Sequence, residues 1–138
     1  MAFKVEWLTE EKRALHLYFD NEGISSWSEY RKTVDEAWAM AQTVDHEIIA
    51  IFATYDTPMP MGSPMTPLQR TFKTMPSNVR FGVTIVERMF EKMVVDMVAK
   101  LGFAEISRTV SSWNALNRLL KSENLPIIPD EDIPPRLH

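Results

Sequence analysis

Residues 48–53, Ile-Ile-Ala-Ile-Phe-Ala, constrain the fold more than any other stretch of the chain. Six apolar residues in a row, rich in β-branched and aromatic types and too short for a helix, read as a buried strand. The run leaves through Thr54, Tyr55 and Asp56 into a loop with four prolines, three methionines and one glycine, which ends at Pro67. In open α/β sheets, the loops at the carboxyl ends of the strands carry the binding surface. Here that loop offers one carboxylate, a few hydroxyls and much methionine, a set suited to contact rather than to catalysis.

The flanking segments supply the rest of an α/β sheet. Phe3, Val5 and Trp7 alternate with Lys4, Glu6 and Leu8, and Leu15, Leu17 and Phe19 alternate with Ala14, His16 and Tyr18; Thr9 to Lys12 joins the two runs as a hairpin. Gly23 marks a turn, and Ser26 with Glu29 has the form of a capping box. Trp27, Tyr30, Val34, Ala37, Trp38 and Ala41 then recur at helical spacing, with Glu29, Arg31, Lys32, Asp35 and Glu36 opposite. Thr66 is placed to cap a short helix with Pro67 at its first position, Leu68, Phe72 and Met75 as its inner face, and Pro76 as its stop. Val79 to Val86 reads as a strand. Val86, Met89, Phe90, Met93, Val94, Met97, Val98 and Leu101 read as the core face of a third helix, methionines included, that Gly102 ends. A last strand lies within 103–110, and Ser111 or Ser112 caps a final helix with Trp113, Leu116, Leu119 and Leu120 inside. The expected fold is a single-domain α/β mixed sheet: an antiparallel hairpin, then three parallel strands reached through right-handed crossovers, with about four helices.

The chain of 138 residues suffices for one domain with a real core, assigned to residues 1–121. Residues 122–138 form a proline-rich acidic tail, read as a disordered end, with Ile127, Ile128, Ile133 and Leu137 available to dock on the domain or on a second copy. With no cysteine, the chain has no disulfide, thiolate nucleophile or Cys-ligated zinc. A net charge of −4 argues against a nucleic-acid partner. No run approaches the roughly 18 apolar residues of a membrane helix, and MAFKVEWLTEEKR lacks the apolar core of a signal peptide, so a cytoplasmic protein is expected.

The hairpin, the helix WSEYRKTVDEAWAMA and the strings VDHEIIAIFATYD, PSNVRFGVTIV and EISRTVSSWNALNRLL together resemble the STAS-like family over residues 4–121. That family includes the bacterial anti-sigma-factor antagonists. The likeness is greatest to uncharacterised stand-alone bacterial members, which overlap in description with the CRAL-TRIO lipid-binding fold group. The resemblance implies a binding role. In phospho-switch antagonists a Ser or Thr in an Asp-Ser-Ser-Gly-like motif at the start of the helix after the central strand accepts phosphate. Here the matching region is Asp56 to Thr66. It lacks that motif, and Gly62 precedes Ser63; Ser63 and Thr66 are the nearest hydroxyls.

The candidate contact residues are Tyr55, Asp56, Met59, Met61, Ser63, Met65 and Thr66. Asp56 serves either as a polar anchor or as a turn cap before Pro58. Met59, Met61 and Met65 form either an adaptable contact surface or filler on their own core. Ser63 and Thr66 are the phospho-acceptor candidates. Arg70, Lys73 and Arg80 either line one edge near the loop or are ordinary surface. His16 and His46 read as structural, no metal or cofactor site is expected, and Trp7, Trp27, Trp38 and Trp113 read as core rather than as the lining of a lipid cavity. The expected function is a non-enzymatic regulatory or interaction module that presents this loop to a protein partner. The alternative is a small-molecule or lipid carrier with an apolar pocket beneath it. A homodimer through the hairpin edge or the tail remains open.

Overall fold

The computed structural model describes residues 3–19, 26–53, 60–86 and 89–134. Its elements are β1 (Phe3–Trp7), β2 (Ala14–Phe19), α1 (Trp27–Ala41), β3 (Ile48–Ala53), α2 (Met65–Lys73), β4 (Val79–Ile85), α3 (Met89–Val98), β5 (Ser107–Val110) and α4 (Trp113–Ser122). The sheet order is β1-β2-β3-β4-β5, antiparallel between β1 and β2 and parallel thereafter. Each new strand is laid beside the last. This is the expected α/β mixed sheet, element for element.

β3 lies at the centre and all six of its residues are buried. Its alternation feeds two cores. Ile48, Ala50 and Phe52 join Leu15 and Leu17 of β2 beneath Tyr30, Val34, Ala37 and Trp38 of α1. Ile49 and Ile51 join Ala14, Phe81, Val83 and Ile85 beneath Leu116 and Leu120 of α4. Burying each large side chain contributes about 1.5–3 kcal/mol, so both faces of β3 have to be covered. A bulge at the start of β4 shifts the register, with Ile48 opposite Val79 but Ala50 opposite Gly82. The extra residue turns Val79 toward the α1 core while Phe81 faces α4.

Gly82 lies where α2 meets the sheet. A Cβ there would stand 3.1 Å from the rings of both Phe52 and Phe72, tighter than ordinary contact, so a larger residue would have to push these rings aside by a few tenths of an ångström. The caps follow the sequence at two helices. Ser26 Oγ accepts from Glu29 N at 3.1 Å, and Ser112 Oγ accepts from Ala115 N at 3.0 Å. Gly102, at φ +108°, closes the π-type turn Ala99–Phe103 that follows α3.

Three expectations require correction. Thr66 is not the cap of α2. Pro64 is, in helical conformation and without a side-chain hydrogen bond, so the helix starts at Met65 and Pro67 lies in its first turn. Pro67 is tolerated there because N–H groups of the first turn have no intrahelical acceptor. The methionines of α3 are not core: Met89, Met93, Met97 and Leu101 are 74%, 56%, 53% and 54% exposed, whereas Val94 and Val98 are buried as expected and Glu91 and Val95 are buried with them. With apolar residues nearly all round, the helix turns its compact valines inward and leaves the long, unbranched methionines outside.

The third correction concerns the tail, which is docked as far as it is described. Ile128 is 3% exposed and completes the α4 core. Asn117 clamps it: Asn117 Nδ2 donates to Ile128 O at 3.0 Å, and Ile128 N donates to Asn117 Oδ1 at 2.8 Å. A short 3-10 turn, Asp130–Asp132, follows, and Ile133 also packs on this core. Leu137 lies outside the described residues.

His16 is buried in β2, with its ring stacked on Tyr18 at 4.6 Å and edge-on to Trp113 at 5.6 Å. Burial lowers its pKa to about 4. His46 is structural too: its Nε2–H donates to the Lys12 carbonyl at 2.9 Å and ties the hairpin to the start of β3.

Two outcomes are expected. Asn117→Ala should lose about 1–3 kcal/mol of stability and expose residues 126–134 to rapid limited proteolysis; cleavage as slow as in the wild type would show that the clamp does not hold the tail. His16 stays neutral in the folded chain while the unfolded chain takes up a proton below its ordinary pKa of 6.5. Its contribution to stability is therefore complete above that pH and falls as pH drops from 6.5 toward 4, by about 3 kcal/mol in all. Urea midpoints at pH 7 and 4.5 should differ less in His16→Gln than in the wild type.

Candidate functional site

The described part of the loop after β3 leads into α2 beside the first turns of α1. Pro60 is buried, and Gly62, at φ +103°, lies against the Trp27 ring, where a Cβ would be 3.7 Å from Cδ1. Met61 between them is 91% exposed. Ser63 and Thr66 are exposed, and Met65 is half-buried. Tyr55, Asp56 and Met59 lie outside the described residues.

Between α1 and α2 runs a groove of about 310 Å³. Trp27, Tyr30, Val34 and Pro67 give it apolar walls, and Arg31 and Thr66 stand at its edge. Thr71 knits its floor. The Thr71 hydroxyl donates to Pro67 O at 3.0 Å, which leaves Tyr30 Oη as the donor in their 2.8 Å hydrogen bond. Trp38 Nε1 donates to Thr71 O at 3.2 Å. Burial, only partly offset by the Thr71 contact, pushes the Tyr30 phenol well above its ordinary range, so it remains a neutral donor. At the rim, Arg70 makes two bonds to the Asp35 carboxylate, at 2.9 and 3.4 Å.

The proposed basic edge does not form as a unit. Arg70 is committed to Asp35, whereas Arg80, at the amino end of β4, reaches Glu123 at 2.8 Å and Glu47 at 3.6 Å. Among the described residues no group of three or more His, Asp or Glu side chains is placed to hold a metal ion. No described helix is long and apolar enough to cross a membrane.

A larger hollow, of about 600 Å³, lies at the other end of the sheet, where the hairpin turn and the starts of β2 and β3 meet the docked tail. Glu10, Glu11, Glu47, Glu131 and Asp132 line it together with Arg13. Sequence reading missed it because its walls come from segments far apart in the chain, one of them the tail. The α1–α2 groove was equally hidden, although Trp27 and Tyr30 on one helix and Thr66 and Pro67 on another were each visible as features.

No protein-family model, curated protein or solved structure matches this chain.

Thr71→Val keeps the shape of the groove floor and removes the hydroxyl that receives the Tyr30 proton. It should cost about 1–3 kcal/mol, because a buried donor loses its acceptor. Tyr30→Phe should cost little more in the Thr71→Val background than Thr71→Val alone, and additive losses in this double-mutant cycle would show that the two hydroxyls do not act as a pair.

Proposed function

We propose that the chain is a non-enzymatic, STAS-like regulatory or interaction module of the cytoplasm, which presents the loop after β3 and the first turn of α2 to a protein partner. The exposure of Met61 carries this reading. Its neighbours are held, Pro60 by burial and Gly62 against Trp27, yet the methionine itself stands 91% exposed. An apolar side chain displayed between two held residues is suited to contact, because little ordering entropy of this short segment remains to be lost on binding. The exposed hydroxyls of Ser63 and Thr66 add polar register beside it. A regulatory phosphate on Thr66 would lie at the start of α2, near the free N–H groups of its first turn, and at the edge of a groove that Arg31 and Arg70 also line.

A second reading is favoured by the groove itself, whose volume is at the lower end for small-molecule sites. Its aromatic walls, with Arg31 at the edge, fit a small ligand with an apolar body and an anionic group. Native mass spectrometry of freshly purified protein separates the two readings: a bound small molecule supports the second, and bare protein leaves the first.

Met61→Asp should reduce recovery of a protein partner at least tenfold, a loss of about 1.4 kcal/mol, with the melting temperature unchanged. Undiminished recovery would remove the loop from the interface. Incubation with a cognate kinase followed by mass spectrometry tests the switch, and phosphate found only outside Ser63 and Thr66 counts against it.

A further inference from the structure

β1 ends the sheet on one side, and among the described residues no strand pairs with its outer edge. The opposite edge is β5, only four residues long and in contact with the π-type turn Ala99–Phe103. β1 is the longer edge, at five residues. The direction of its backbone groups follows from one hydrogen bond. Leu8 N donates to Ala14 O at 2.8 Å, and the register sets these two residues opposite each other. In an antiparallel pair, opposed residues alternate between exchanging hydrogen bonds and turning their N–H and C=O groups away. Leu8, Glu6 and Lys4 therefore bond to β2, while Phe3, Val5 and Trp7 aim their backbone groups out of the sheet. Such an edge is a template for another strand.

We infer that β1 pairs with β1 of a second copy, antiparallel about a two-fold axis at Val5, so that the two five-stranded sheets become one. About that axis Val5 exchanges its outward hydrogen bonds with Val5 of the second copy, and Phe3 exchanges its own with Trp7. Lys4 and Glu6 are exposed, on the face of β1 away from the α1 core against which Val5 and Trp7 pack. The pairing sets Lys4 of each copy opposite Glu6 of the other, at non-hydrogen-bonded positions where side chains stand closest. Opposite charges directly across a sheet stabilise the pair. Glu6 Oε1 accepts from the Tyr18 hydroxyl at 3.1 Å, and a carboxylate has a second oxygen with which to accept the lysine.

The order of charges selects a second copy over a strand of other sequence. Moving the axis by one residue, to Lys4 or to Glu6, sets a like charge opposite itself. The same shift turns toward the seam backbone groups that β2 already engages. Backbone phase and charge order are independent patterns, yet both are self-complementary about Val5, as an isologous interface requires. On the α1 face Val5 and Trp7 are only half-buried, and the facing strand covers more of both.

Sedimentation velocity of the full chain, with amide hydrogen exchange across the same concentrations, tests this. The wild type is expected to show a concentration-dependent dimer. The Val5 and Trp7 amides should exchange rapidly when dilute and slow at least tenfold in the dimer, whereas those of Lys4 and Glu6 are protected in both states. Lys4→Glu and Glu6→Lys should each raise the dissociation constant at least tenfold, since each sets like charges across the axis. Mixed together they should form a heterodimer, and the double variant carrying both changes should dimerise again. A loss of fold would not be reversed by mixing, so this recovery separates pairing from stability. A wild-type chain that stays monomeric throughout overturns the proposal and leaves the edge to a strand of other sequence. So does a dimer in which the Val5 and Trp7 amides still exchange rapidly, or one that neither charge variant weakens. Protection of those two amides in the monomer also overturns it, because another segment of the same chain would then cover the edge.

Discussion

The two-sided burial of β3 governs this structure. A strand with no polar face has to be covered above and below, and the chain does so with unequal material. On one side α1 brings Tyr30, Val34, Ala37 and Trp38, and α2 adds Phe72 beside Gly82. On the other, α4 brings Leu116 and Leu120 and needs help, which comes from the tail through Ile128 and Ile133. The tail is thus part of the core. Pro129 is extended, and the Asn117 clamp satisfies the backbone N–H and C=O of Ile128, which burial would otherwise leave without partners.

The same constraint positions the loop. β3 ends at Ala53 and α2 has to cross back over Gly82, so the chain between them starts at the carboxyl end of the sheet and finishes beside α1. Thr71 fixes the angle of that return. Through one hydroxyl and one carbonyl it engages Tyr30, Trp38 and Pro67, joining two turns of α1 to the body of α2. The groove is the space left where the two helices diverge above this junction, and the Arg70–Asp35 pair holds its rim.

Elements fixed by strong local signals were legible in the sequence. The unbroken apolar run announced β3, the Ser26–Glu29 pattern announced the start of α1, and Gly102 announced the turn after α3. What depends on tertiary competition was not legible. The face that α3 buries could not be chosen by periodicity, because methionine and valine both read as apolar. The start of α2 was misplaced because Thr66 is a better cap than Pro64 by intrinsic preference, and the geometry of the loop overrode that preference. The tail looked disordered because its composition is that of a linker, and only the unfinished core beneath α4 shows why it folds back. Of the candidate contact residues, Met61, Ser63 and Thr66 stand exposed as a contact surface requires, whereas Met65 is half turned inward.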